Sequence, residues 1–137
     1  MNYAKIVPLD VANGTGIRVS LFVSGCPHHC FNCFNQETWN ESYGQPYTKD
    51  TEDEVIKLLR HPHVRGLTLL GGEPFTIEHQ RILWPLIQRI KQELPQKDIW
   101  GYTGYLIDDL LPDGRAYCEI TTNILQNLDM LVDGPFV

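Results

Sequence analysis

Four short apolar runs constrain the fold of this chain more than any other feature: IRVSLFV (17–23), VRGLTLLGG (64–72), DIWGYTG (98–104) and DMLVDG (129–134). Each is rich in β-branched, aromatic or aliphatic residues and is bounded by Gly, Asn or Asp, which predicts a strand closed by a turn. The stretches between them carry helical periodicity instead. TEDEVIKLL (51–59) opens with Thr51 and Glu54 at capping-box spacing and continues with Val55, Ile56, Leu58 and Leu59. Ile82, Leu83, Leu86, Ile87, Ile90 and Leu94 share one helical face, with Pro85 expected to kink that helix or to start its second part. YLIDDLL (105–111) and TTNILQNL (121–128) predict two short helical pieces separated by a PDG turn.

Strands alternating with helices imply βαβ units, right-handed crossovers and a mostly parallel α/β sheet. In such sheets, functional groups gather on the loops after the C-terminal ends of the strands. The chemically distinctive residues fall there: a cysteine run after the first predicted strand, GGEP after the second, YTGY after the third and Asp-Gly after the fourth.

Composition narrows the functions open to such a sheet. A chain of 137 residues with 42% hydrophobic residues can build one core without disulfide staples, so one domain is expected. No signal-peptide pattern and no apolar run of roughly 18 residues occurs, so a soluble cytoplasmic protein without a membrane role is expected. A formal charge of −6, with no block of like charges, argues against broad nucleic-acid binding. In a reducing compartment, clustered cysteines point to metal or redox chemistry rather than to cross-links.

The cysteine run is CPHHCFNC, with Cys26, Cys30 and Cys33 spaced C-x3-C-x2-C, and Cys118 stands alone far downstream. A closed zinc site takes four protein ligands, which His28, His29 or Cys118 could complete; an ordinary ferredoxin cluster needs four thiolates. Three thiolates on one compact loop suit a four-iron, four-sulfur cube with one iron left open to a substrate or cofactor. Gly71, Gly72, Glu73 and Pro74 form a turn whose glycines admit close approach of a ligand to the backbone. Its carboxylate could face an ammonium group. The same four residues also suit a plain strand-to-helix turn, with Pro at the helix start.

C-x3-C-x2-C after the first strand of an α/β sheet, followed by GGEP after the next, resembles the radical S-adenosylmethionine (SAM) enzymes. Over the whole chain, MNYAKIVPLDVANGTGIRVSLFVSGCPHHCFNCFNQETWN, GQPYT, LTLLGGEP, KDIWGYTGY and MLVDGPF resemble the family that activates anaerobic ribonucleoside-triphosphate reductases. The resemblance implies an open partial (β/α) barrel of about five mostly parallel strands, since a complete (β/α)8 barrel takes roughly 200 residues or more. It implies a 4Fe-4S cluster on Cys26, Cys30 and Cys33 with one open iron that is chelated by the amino and carboxylate groups of SAM. It also implies reductive cleavage of SAM and formation of a glycyl radical on the catalytic subunit of the reductase, with electrons from a low-potential donor such as flavodoxin. Matched position by position, Gly71, Gly72 and Glu73 would receive the methionine amino group, and Asn32, Cys33 and Phe34 would meet the adenine side. Asn32 departs from the aromatic residue that many radical SAM enzymes carry before the last cysteine. Thr103, Gly104, Asp133 and Gly134 lie at later strand ends and could reach the ribose or the methionine carboxylate, although Asp133-Gly134 also suits a plain turn. Family members continue past the VDGPF strand, so residues 1–137 are expected to form one radical SAM domain, either lacking a C-terminal segment or naturally short.

Two other classes remain open. One is an activase of another glycyl-radical enzyme such as pyruvate formate-lyase, or a small radical SAM enzyme acting on a free metabolite. The other is a non-catalytic zinc or iron-sulfur module. His28 and His29 could tune the cluster or meet the partner, though solvent-facing loop positions suit them better. His61, His63 and His79 read as surface residues, Cys118 as a buried apolar-like cysteine, and Trp39, Trp84 and Trp100 as packing residues.

Overall fold

The computed structural model describes residues 1–26 and 40–134. In chain order the elements are β1 (Asn2–Asp10), β2 (Arg18–Val23), β3 (Gln45–Pro46), α1 (Lys49–Leu59), β4 (Gly66–Gly71), α2 (Ile77–Glu93) and β5 (Asp98–Tyr102). A 3-10 helix (Ile107–Leu110), α3 (Thr121–Gln126) and β6 (Met130–Val132) complete them. One six-stranded sheet has the order β3-β1-β2-β4-β5-β6. From β2 through β4 and β5 to β6 the strands are parallel, while β1 runs antiparallel to both β2 and β3. The protein is therefore α/β with a mixed sheet.

Several expectations need correction. The strand expected first, at 17–23, is the second, and the sheet has six strands rather than about five. β1 escapes a pattern search because it is mostly half-buried, with Lys5, Pro8 and Leu9 exposed, so it lacks a clean alternation of period two. Helix α1 starts at Lys49, not near Thr51. Thr48 is its N-cap, and the Thr48 N–H donates to Thr51 Oγ1 at 3.1 Å, so Thr51 closes the cap from inside the first turn instead of opening it. Helix α2 runs on through Pro85, which faces solvent, where the carbonyl freed by the missing N–H can meet water.

The core lies on one face of the sheet. Val19, Leu21 and Val23 of β2, Leu67 and Leu69 of β4 and Ile99 of β5 pack in a single cluster with Val55, Ile56 and Leu59 of α1, Leu83, Leu86, Ile87 and Ile90 of α2, and Ile124 of α3. Each such side chain contributes about 1.5–3 kcal/mol on burial, enough to fix all three helices on that face. Consecutive right-handed crossovers stepping in one direction along the sheet produce the same one-sided arrangement. No helix among the described residues is long and apolar enough to cross a membrane.

The opposite face carries polar residues at the N-terminal ends of the parallel strands. Arg18 is fully buried; it donates to Thr68 Oγ1 at 2.7 Å, to the Leu67 carbonyl at 2.9 Å and to Asp98 Oδ1 at 2.6 Å, and its guanidinium lies 5.2 Å from the centre of the Trp100 ring. Trp100 thus packs, as does Trp84 against the core, while Trp39 lies outside the described residues. This polar plug sits at the end of the sheet away from the cysteine run.

Candidate functional site

The C-terminal ends of β2, β4, β5 and β6 converge because the parallel registers align them: Val23 pairs with Gly71, and Tyr102 with Val132. Gly71 has φ +112°, and a Cβ there would stand 2.6 Å from both the N and the O of Val23. Only glycine lets the end of β4 lie this close to the end of β2. The next two amides then bond across the gap, Gly72 N–H to the Val23 carbonyl and Glu73 N–H to the Gly25 carbonyl, both at 2.8 Å. The GGEP turn is therefore fastened to the backbone that leads into the cysteine run. Ser24 fastens the same segment from the other side, its hydroxyl donating to the Tyr43 carbonyl at 2.6 Å.

Cys26, half-buried, follows directly. Cys30 and Cys33, with Asn32, Phe34, His28 and His29, lie outside the described residues. Of the three expected cluster ligands, the structure thus places Cys26 alone, beside the GGEP turn. The fourth cysteine is elsewhere: Cys118 is buried between α2 and α3, its thiol donating to Gln80 Oε1 at 3.7 Å. A cysteine at the mouth of the sheet beside a turn with two glycines fits one edge of an iron-sulfur site.

Glu73 is fully buried, and its carboxylate accepts from Phe75 N–H at 2.9 Å, Thr103 O–H at 2.7 Å and Gly104 N–H at 2.7 Å. Thr103 Oγ1 accepts in turn from Tyr105 N–H at 3.1 Å. Thr103 and Gly104 are thus brought to Glu73, and Thr103 N–H also donates to the Val132 carbonyl at 2.9 Å, which links the ends of β5 and β6. Asp133 is exposed and receives the Ile107 N–H at 2.8 Å, which ties the end of β6 to the 3-10 helix; Gly134 N–H donates to the Tyr105 carbonyl at 2.8 Å.

Tyr105 closes this cluster. Burial pushes its phenol above the ordinary tyrosine range, and the negative charges of Glu73 and Cys26 add to the effect, while the Arg115 guanidinium, 5.0 Å from the ring centre, opposes it.

His79 departs from expectation. It is 1% exposed rather than on the helix surface, and its Nδ1 lies 2.7 Å from the Glu73 carbonyl oxygen. The cause is local: Thr76 caps α2 by accepting the His79 N–H at 3.1 Å, so His79 occupies the third helical position and points back at the turn. The Thr-x-x-His spacing after GGEP was the available signal for this. His61 and His63 are exposed, as expected.

A family profile described as a 4Fe-4S single cluster domain matches residues 12–137. The chain is 43% identical to the anaerobic ribonucleoside-triphosphate reductase-activating protein of Vibrio cholerae, over all of this chain and 85% of that protein. It is 42% identical to the protein of the same name from Escherichia coli K12, over all of this chain and 86% of the relative. With the phage T4 protein of that name the identity is 38%, over 99% of this chain and 81% of the relative. Similarity of this extent covers every strand end described above, and the chain belongs to the family of the anaerobic ribonucleoside-triphosphate reductase-activating proteins.

Proposed function

We propose that this protein is a radical SAM activase that generates a glycyl radical on the catalytic subunit of an anaerobic ribonucleoside-triphosphate reductase. Cys26, Cys30 and Cys33 would hold a 4Fe-4S cluster with one open iron. When bound and reduced, the cluster would supply the electron for reductive cleavage of SAM, the chemistry needed to remove a hydrogen atom from a glycine Cα of the partner. The observation that carries this proposal is the attachment of the GGEP turn to the cysteine-bearing segment through Glu73 N–H and the Gly25 carbonyl. That bond sets a ligand-receiving backbone beside the first cluster cysteine, as simultaneous contact with an iron and a methionine amino group requires. The relatives' shared name supports the choice of partner.

The chain's own groups have separable tasks in this scheme. Gly71 and Gly72 give the ligand access to the backbone, and Glu73 holds the end of β4 to the end of β5 while placing a negative charge under the turn. Asn32, Cys33 and Phe34 are assigned to the adenine side. Tyr105, which is buried, helps exclude water beside Cys26. Residues 1–137 would act as one domain whose sheet curves into an open partial barrel, in the cytoplasm, drawing electrons from a low-potential donor such as flavodoxin.

Anaerobic reconstitution tests this directly. About four irons per chain, release of 5′-deoxyadenosine under dithionite, and a glycyl signal on the reductase by electron paramagnetic resonance are the expected results. A colourless protein holding one tight zinc and leaving SAM intact would overturn the proposal. A glycyl signal raised on a formate-lyase but not on the reductase would overturn the choice of partner.

A further inference from the structure

We infer that His79 is a positioning residue for SAM binding, acting through the main chain of Glu73. This rests on the function proposed above and names a residue that function does not use. Glu73 is held at three points: its N–H by the Gly25 carbonyl at 2.8 Å, its carboxylate by Phe75, Thr103 and Gly104, and its carbonyl by His79 Nδ1 at 2.7 Å. The third hold differs from the others. The peptide joining Glu73 to Pro74 has no N–H, so its carbonyl is the only polar handle by which the orientation of that plane can be set. A carbonyl oxygen only accepts, so the proton of His79 sits on Nδ1. The imidazole is 1% exposed and comes from the first turn of α2, an element anchored in the core by Leu83, Leu86, Ile87 and Ile90. A rigid helix thereby sets the exit angle of the turn whose entry is set by β2. A ligand received by the Gly71–Glu73 backbone needs both angles correct at once.

The discriminating variants differ in where they put a donor. In His79→Asn the side-chain amide nitrogen falls near the position of Nδ1, whereas in His79→Gln it falls near Nε2; His79→Leu removes the donor. The readout is a titration of the reduced, cluster-loaded protein with SAM, followed through the change in the cluster's electron paramagnetic resonance signal, with iron content measured alongside. His79→Gln and His79→Leu are expected to load iron like the unaltered protein but to need on the order of tenfold more SAM, the equivalent of losing one modest hydrogen bond. His79→Asn is expected to stay within about twofold of the unaltered protein, since it keeps the donor in place. A purely structural role predicts lower iron loading or melting temperature with unchanged SAM affinity in the loaded fraction, and that result would overturn the inference. So would equal SAM affinity for the Asn and Gln variants, a comparison that stands even where the Leu variant does not fold. Absence of SAM binding by the unaltered protein would overturn the function proposed above and this inference together.

Discussion

Thr103 Oγ1 donates to Glu73 Oε2 across 2.7 Å, joining the C-terminal ends of two adjacent parallel strands through buried groups. Parallel strands have no hairpin to hold their ends in step, so this contact, with Gly104 N–H on the other carboxylate oxygen, does that work at the mouth of the sheet. Glu73→Gln should therefore destabilise the protein by about 2 kcal/mol, because its amide nitrogen must face a buried N–H or O–H donor in either orientation. Thr103→Val should lose about 1–2 kcal/mol, leaving the Tyr105 N–H without its acceptor, while Thr103→Ser keeps both bonds. Urea unfolding of the three variants measures this. Equal stability of the Val and Ser variants would show that the hydroxyl is not a strut.

The placement of these groups was legible in the sequence only in part. VRGLTLLGG read as a buried strand because β4 is covered on both faces and needs no alternation, and the paired glycines marked its end. That Glu73 would meet Thr103 depends on the β4–β5 register, in which Leu69 pairs with Gly101, and no local pattern encodes it. Burial of His79 was hidden for a related reason: histidine in a first helical turn suits solvent as readily as core, and only the Thr76 cap decides which way it points. β1 was missed because a half-buried strand beside a sheet edge has too few buried side chains to show a period.

Two glycines with similar positive φ should respond differently to alanine. At Gly71 (φ +112°) the new Cβ would meet Val23 backbone atoms at 2.6 Å, and paired backbone cannot move aside. At Gly134 (φ +98°) the nearest atom among the described residues is Leu106 Cδ2 at 3.9 Å, so among them only the backbone conformation is penalised. Gly71→Ala is expected to cost about 3 kcal/mol or more and Gly134→Ala about 1–2 kcal/mol. Iron incorporation should fall with the first and not with the second. Matching losses in both would argue that the close approach of β4 to β2 is not needed to form the mouth of the sheet.

At the other end of the sheet, the Arg18 guanidinium depends on Asp98 for its countercharge. Arg18 is fully buried while the Asp98 side chain keeps 22% of its surface exposed, so removing the aspartate strands the cation without water. Asp98→Ala should destabilise by about 3 kcal/mol. Arg18→Met should cost less, because the aspartate left behind can hydrate and still has Arg65 at 3.4 Å. SAM affinity of the surviving folded protein should not change in either variant, given that this plug lies at the far end of the strands. A raised SAM requirement in Asp98→Ala would mean that the two ends of the sheet are coupled.

The four cysteines should divide three to one in any test of cluster assembly. Cys118 Sγ faces Gln80 Oε1 at 3.7 Å, and the Gln80 amide is itself fixed by the Phe75 and Ala116 carbonyls at 2.7 and 2.8 Å. To reach a cluster at the mouth of the sheet, this thiol would have to leave the packed α2–α3 contact and break that network. Cys118→Ala should therefore keep about four irons per chain and full SAM cleavage, with a stability loss of about 1 kcal/mol for the vacated volume. Cys26→Ala and Cys30→Ala should each lose the intact cluster and all cleavage, because two thiolates cannot hold three corners of the cube. Iron analysis and 5′-deoxyadenosine release on the three variants decide the matter. Loss of iron in Cys118→Ala at undiminished folding would make it a fourth ligand and close the corner that SAM needs.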